Sequence, residues 1–257
     1  MPTLSIAIIT HNEEANLPRT LRSLPRHAEV VIVDSGSTDT TLDIARQHGA
    51  RIFEERWMGF AAQKNYAIAQ CTGDWVLSLD ADEEMTRALC EEITSLTCEQ
   101  HRSTEPEAYY VPRRNMFLGR WIKYGGFYPD AKLRLFLRGA AQFEARPVHE
   151  TIKYGGITGR LRCDLVHHAY PTLTGYIEHM NRYSSLGADV VRKRGKSLSS
   201  LPQFLFRIAI APAATFFWNY IVRFGFRDGR EGLLLHLYHA AYSSWKYAKA
   251  WEMQRNS

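Results

Sequence analysis

Four carboxylates, Asp80, Asp82, Glu83 and Glu84, fall within five positions of this 257-residue chain. Acids this close repel one another unless a cation, a helix N-terminus or water relieves them. Holding a divalent metal is the chemistry such a cluster suits, because hard cations take oxygen ligands. In the competing reading, Asp82, Glu83 and Glu84 cap a following helix and favour its positive end. Ahead of the acids, Trp75, Val76, Leu77 and Leu79 form an apolar run behind a Gly73-Asp74 turn. The run is too short for an ordinary helix and predicts a buried strand. Ligands of an open α/β sheet bind beyond the carboxyl ends of its strands, where Asp80-Ala81-Asp82 would lie.

Three similar units precede this one. Leu4–Thr10 reads as a strand that leads through His11-Asn12-Glu13-Glu14 into a helical pattern carrying Leu17, Leu21 and Leu24. Val30–Val33 repeats the plan and ends in Asp34-Ser35-Gly36-Ser37-Thr38-Asp39, before a helix carrying Leu42, Ile44 and Ala45. That loop is rich in hydrogen-bonding groups, and its glycine permits close backbone approach. A third strand, Arg51–Glu55, leads into helix Phe60–Ala69. Strands alternating with short helices predict a parallel, right-handed α/β sheet. No Rossmann G-x-G-x-x-G and no P-loop follows any of them.

Thr10-His11-Asn12-Glu13, Asp34-Ser35-Gly36-Ser37-Thr38-Asp39, Gln63-Lys64-Asn65 and Asp80-Ala81-Asp82, in this order, resemble family-two glycosyltransferases of the GT-A fold. The resemblance implies a Rossmann-like α/β fold: a mixed, mostly parallel sheet flanked by helices, here with a helical C-terminal appendage. It implies a nucleotide-sugar donor, with Thr10 and Glu13 in the first-strand loop on the nucleoside and Asp34, beside Ser37, on the uracil ring. It also implies that Asp82 binds a Mg²⁺ or Mn²⁺ bridging the diphosphate, with Asp80 nearer the ribose and donor sugar. A carboxylate can accept from the uracil imide N–H, and these ions take one or two carboxylates with phosphate oxygens and water. Each residue also has a plainer account. Asp34 and Ser37 would build a turn and cap the next helix, Glu13 would be an exposed loop acid, and Lys64 either a solvated helix face or a cation within reach of the donor's phosphates.

From Ala108 the pattern turns to alternation and aromatics. Lys132–Arg138 alternates charged with apolar residues and predicts a strand with one face buried. Lys123–Asp130 reads as a flexible aromatic loop, either a platform for sugars or a hydrophobic turn packed on the sheet. Val148-His149-Glu150, Tyr128-Pro129-Asp130 and Arg134-Leu135-Phe136 resemble the lipopolysaccharide-core branch of the family. Inverting transfer needs a base for the acceptor hydroxyl. Glu150 is the first candidate, and Asp130 is the second or else orients the acceptor. His149 is either a phosphate or metal contact or a structural residue. Arg113, Arg114, Arg134 and Arg138 would attract a phosphorylated or carboxylated acceptor, or else guard an edge strand.

The adjacent His167 and His168 point in different directions on a strand or helix, and read as structural unless another ligand joins them. Tyr176 to Arg194 is helical in composition and ends in the basic Arg192-Lys193-Arg194-Gly195-Lys196, which suits an anionic cytoplasmic leaflet. Phe204–Val222 is long enough to span a bilayer, but Arg207, Pro212 and Asn219 interrupt it, so it is expected to lie in the interface. A last helix is predicted from Leu233 to Trp251, with Trp245, Tyr247 and Trp251 at headgroup level. The alternative is a helical pair packed on the catalytic domain or on another subunit. The expected division is a catalytic domain over 1–170, with a nucleotide-sugar half over 1–100 and an acceptor half over 101–170, and a membrane-surface helical region over 171–257.

A hydrophobic content of 45% excludes wholesale disorder, and a formal charge of +5 with no nucleic-acid motif gives no reason to expect nucleic acid. Cys71, Cys90, Cys98 and Cys163 show no C-x-x-C pair, which favours reduced thiols in a cytosolic setting. The apolar start lacks a basic leader, so no signal peptide is expected. The resemblance implies an inverting, metal-dependent enzyme moving glucose from UDP-glucose to the inner-core heptose of a lipopolysaccharide glycolipid, cytoplasmic and peripheral on the inner face of the cytoplasmic membrane. Its rivals are a polyprenyl-phosphate glycosyltransferase and a non-catalytic nucleotide-sugar-binding membrane scaffold.

Overall fold

The computed structural model describes residues 3–98, 101, 104–144, 151–193 and 200–255. The chain divides into two units, Met1–Arg114 with Asp130–His168, and Asn115–Pro129 with Ala169–Ser257. The aromatic segment 115–129, counted above with the α/β part, thus belongs to the second unit.

The first unit opens with β1 (Leu4–Thr10), α1 (Leu17–Arg22), β2 (Glu29–Asp34), α2 (Thr41–Gln47), β3 (Arg51–Glu54), α3 (Phe60–Ala69) and β4 (Trp75–Asp80). Along the chain, across both units, there then follow β5 (Glu83–Met85), α4 (Arg87–Cys98), β6 (Ala108–Val111), β7 (Arg113–Phe117), β8 (Arg120–Trp121), β9 (Lys132–Leu137), β10 (Gln142–Glu144), β11 (Thr151–Lys153), β12 (Thr158–Arg160) and β13 (Leu165–Tyr170). Among the described residues the main sheet has the order β12-β6-β9-β4-β1-β2-β3. Pairs β4–β1, β1–β2 and β2–β3 are parallel, whereas β9 is antiparallel to both β4 and β6. Successive residues of the central strands feed opposite faces. Ile6, Ile8, Ile32 and Leu77 enter one core cluster, and Ala7, Val31, Val33 and Val76 enter the other. Two-sided burial accounts for their unbroken apolar runs. Register aligns the strand ends, with Thr10 opposite Asp34 and Ile9 opposite Asp80.

Two local expectations are corrected. The residues after Asp82 form no helix to cap: Glu83–Met85 is a strand that pairs antiparallel with β13, and α4 begins only at Arg87. Lys132–Leu137 is buried on both faces rather than one, since Arg134, Leu135 and Phe136 are buried in succession. Its place between β4 and β6 is the reason, and it removes the edge-strand account of Arg134.

In the second unit β7 and β8 form a hairpin, Met116 opposite Trp121. Phe117 and Ile122 bury themselves with Tyr176 of helix α5 (Leu173–Lys193) and Leu235 of the final helix Gly229–Arg255. Buried Asp228 accepts the amides of Lys123 and Tyr124 at 3.3 and 2.8 Å. Phe127 stands edge-on to His236 and His239. The aromatic loop therefore packs on helices. Between the two long helices runs Leu201–Val222, in which α-helical turns alternate with π-helical turns at Phe206–Ile210 and Trp218–Val222.

Candidate active site

Alignment of β1 and β2 brings the first two motifs together. Asp34 is fully buried, and its carboxylate accepts from the hydroxyls of Thr10 (2.8 Å) and Ser37 (2.5 Å) and from the amides of Gly36 (2.9 Å) and Ser37 (2.7 Å). Gly36, at φ +92°, supplies the left-handed backbone that this loop needs. Burial opposes ionisation, yet these donors, Ser37 foremost, hold the Asp34 carboxyl below its ordinary range. Asn12 stitches the neighbouring loops, its backbone amide donating to the Ser37 hydroxyl and its side-chain Oδ1 accepting from the Thr38 backbone amide, both at 2.8 Å. Asp34→Ala should therefore destabilise the protein by about 2–3 kcal/mol, because buried donors lose a charged acceptor. Urea unfolding checks this, and a change below about 0.5 kcal/mol would show that the loop does not depend on the carboxylate.

Glu13 is half-buried rather than an exposed loop acid, and its carboxylate accepts from the Asn16 amide at 2.9 Å. Burial raises its carboxyl, Asn16 works against this, and the carboxylates of Asp82, Asp39 and Asp80 add to the rise. The acids from the ends of β1 and β4 thus feel one another.

The four clustered carboxylates find different partners. Asp80 is gripped by Lys64 Nζ at 2.7 Å and an Arg134 guanidinium nitrogen at 2.6 Å. Glu83, fully buried, accepts from Arg134 (2.7 Å), Arg113 (2.9 Å) and the Asp80 amide (2.9 Å). Glu84 lies 2.9 Å from His168 Nε2 and 3.8 Å from Arg19. Asp82 lies 3.4 Å from His167 Nε2, while its carbonyl accepts the His168 amide at 3.0 Å. A metal is therefore not the main relief of the cluster, as its spacing suggested, because protein cations neutralise Asp80 and Glu83. The histidine pair is joined by acids after all, one on each ring.

Charges alternate along a continuous chain, Lys64, Asp80, Arg134, Glu83, Arg113, Asp130 and Lys132, with the Arg113–Asp130 and Lys132–Asp130 contacts at 2.5 and 3.0 Å. Although burial opposes it, Arg134 and then Lys64 hold the Asp80 carboxyl well below the ordinary range, and Asp80 and Glu83 push Arg134 up. Lys64 is buried, with its head 5.1 Å over the Phe143 ring, so it is no solvated helix face. Its neighbours in the motif act as clamps. Asn65 exchanges hydrogen bonds with the Phe143 backbone at 2.9 and 2.8 Å, and buried Gln63 donates to the Glu55 carbonyl at 3.3 Å.

Sequence reasoning placed Arg113 and Arg134 near an acceptor surface and missed them as the counter-ions of Asp80, Glu83 and Asp130. Glu150, His149 and Val148, with which the base was identified, lie outside the described residues, as do Arg194 and Lys196 of the basic cluster.

The donor set fits a divalent ion at Asp82. Its carboxylate is about a quarter exposed, with an imidazole nitrogen beside it, whereas the oxygens of Asp80 and Glu83 already face cations. No group of three or more His, Cys, Asp or Glu suited to a metal occurs among the described residues, so two protein ligands would leave most of the shell to phosphate oxygens and water.

A parallel sheet that gathers loop polar groups and a partly exposed acid at its carboxyl ends, with an antiparallel strand inserted beside them, is the GT-A plan of nucleotide-sugar enzymes. The chain belongs to glycosyl transferase family 2, whose signature it matches over residues 5–178. It is 33% identical over 256 residues to the lipopolysaccharide core biosynthesis glycosyltransferase LpsC of Rhizobium meliloti (strain 1021), covering 97% of this chain and 92% of that protein. It is 31% identical to the uncharacterized glycosyltransferase RT0209 of Rickettsia typhi (strain ATCC VR-144 / Wilmington), covering 91% and 82% respectively. The fold is also that of the mannosyltransferase PcManGT from Pyrobaculum calidifontis, solved with GDP-Man and Mn²⁺, at a TM-score of 0.56 and 17% identity over 97% of this chain and 87% of that one.

Proposed function

We propose that this glycosyltransferase moves glucose from UDP-glucose, with inversion, to the inner-core heptose of lipopolysaccharide, working at the inner face of the cytoplasmic membrane. The observation that carries the donor half is the grouping of Thr10, Glu13, Asp34 and Ser37 beside Asp80 and Asp82 at the carboxyl ends of adjacent strands. The acceptor half rests on likeness to the Rhizobium relative, whose name gives lipopolysaccharide core biosynthesis.

In this reading Thr10, Glu13, Asp34 and Ser37 receive the nucleoside, and Asp80, steadied by Lys64 and Arg134, faces the ribose and donor sugar. Asp82 with His167 would hold Mg²⁺ or Mn²⁺, which when bound neutralises charge on the departing diphosphate. Glu150 takes the proton of the acceptor hydroxyl as that oxygen bonds to C1 and the C1–O bond to UDP breaks. Asp130, held between Arg113 and Lys132, orients the acceptor.

Calorimetry with UDP and Mn²⁺ tests the donor site. Wild type should bind UDP only with the ion present, and Asp82→Asn should weaken that binding about tenfold or more while keeping the fold. Unchanged affinity would leave Asp82 as a neighbour of the His167 imidazole alone. Incubation with radiolabelled UDP-sugars and core-truncated lipopolysaccharides tests the acceptor, and label on a heptose-ended core from UDP-glucose is the expected product.

A further inference from the structure

The helix Leu201–Val222 is built inside out. From residue 205 onward its exposed positions are 205–206, 209–210, 213–214, 217–218 and 221–222, and every one is apolar. Ile210, Phe217 and Trp218 are 57 to 58% exposed. The polar residues of the same stretch, Arg207, Thr215 and Asn219, are turned the other way and half-buried. Arg207 lies 5.2 Å over the ring of Tyr247, and the Thr215 hydroxyl donates to the Ala211 carbonyl at 2.9 Å. A helix facing water carries the reverse pattern.

The exposed pairs recur every four residues, whereas an α-helix repeats every 3.6. A strict four-residue stripe would wind around a plain α-helix. The π turns at Phe206–Ile210 and Trp218–Val222 are wider and lengthen the mean repeat, so the stripe stays along one side. Within Leu201–Val222 only Pro212 is buried.

We infer that this stripe lies in the surface of a lipid bilayer bearing anionic headgroups, parallel to its plane. The inference deepens the membrane-peripheral part of the function proposed above and rests on it. Charge favours lipid: Leu201 to Arg227 contains no Asp or Glu, and Arg223, Arg227 and Arg230 are exposed at its end. The final helix disfavours a crossing. It runs antiparallel alongside, with Phe204 at 5.2 Å from Trp251 and Tyr220 at 6.0 Å from His236, and between those contacts it carries Lys246 and Lys249, with Glu252 beside Trp251. A spanning helix would draw these charges into hydrocarbon. A two-fold partner copy would set the same acid-free, arginine-flanked surface against itself.

Flotation of the full chain with acceptor-free vesicles, of phosphatidylcholine alone or with phosphatidylglycerol, tests the inference apart from catalysis. The chain should float with the anionic vesicles, be released by carbonate, and show Trp quenching by brominated lipid that Trp218→Phe largely removes. Ile210→Glu with Phe217→Glu, both at exposed positions, should keep the circular dichroism spectrum and weaken vesicle binding about tenfold or more. Equal binding by the paired variant, retention after carbonate, or a dimer that the variant dissociates in place of vesicle binding would each overturn it. Vesicle binding without sugar transfer would sink the proposed reaction alone. Transfer to detergent-dispersed acceptor without vesicle binding would sink this inference alone.

Discussion

Replacing Arg134 by methionine should lower stability by about 3–5 kcal/mol, the usual penalty for removing one partner of a buried ion pair. Arg134 is 5% exposed, and one of its nitrogens serves both Asp80 at 2.6 Å and Glu83 at 2.7 Å. Methionine keeps most of the apolar volume, so the loss reports charge rather than packing. Glu83 has no access to water and, among the described residues, keeps Arg113 and the Asp80 amide as donors. Adding Glu83→Gln should recover part of the loss, because the buried charge left without its main partner is then gone.

The sign of the pH dependence follows from Asp80. Its native carboxyl is held well below the ordinary range, so its contribution is complete above the unfolded value of about 4 and is lost as pH falls through the depressed native value. The gap between wild type and Arg134→Met should be full at neutral pH and narrow only in strong acid. Thermal melts at several pH values measure it. A neutral-pH loss below about 1 kcal/mol would mean that Asp80 and Glu83 are satisfied without Arg134.

Glu150→Gln should lower turnover about 10²- to 10⁴-fold and leave UDP-sugar affinity nearly unchanged. The amide keeps the shape of the side chain but cannot take the hydroxyl proton as the acceptor oxygen attacks C1. Single-turnover kinetics with saturating donor separates chemistry from binding. A kcat within about threefold of wild type would move the base to Asp130. Asp130→Asn then discriminates again. Because Asp130 ends the alternating charge chain at Arg113 and Lys132, its replacement lowers Tm in either role, and kinetics decide: a base predicts lost turnover at an unchanged acceptor KM, whereas a positioning role predicts a raised acceptor KM as well. Collapse of both turnover and UDP binding in Glu150→Gln would instead put Glu150 beside the diphosphate.

The sequence by itself determined the four parallel strands and the acids at their ends. Leu4–Thr10 and Trp75–Asp80 carry unbroken apolar runs because they are buried on both faces, and turn residues beside them mark their ends. Such signals are local, and need only a few neighbouring residues to be read. The partners of the acids were decided by tertiary structure. Arg134 reaches Asp80 from 54 positions away because β9 inserts antiparallel beside β4, and His168 meets Glu84 across 84 positions because β13 pairs with β5. Nothing within a strand encodes which strand will lie next to it, so alternation in Lys132–Arg138 suggested an amphipathic strand where an interior one forms. Composition likewise marked Phe204–Val222 as apolar, but not its orientation. Only packing against the final helix fixes which residues turn inward, and it turns in the arginine, threonine and asparagine that a water-facing helix would have turned out.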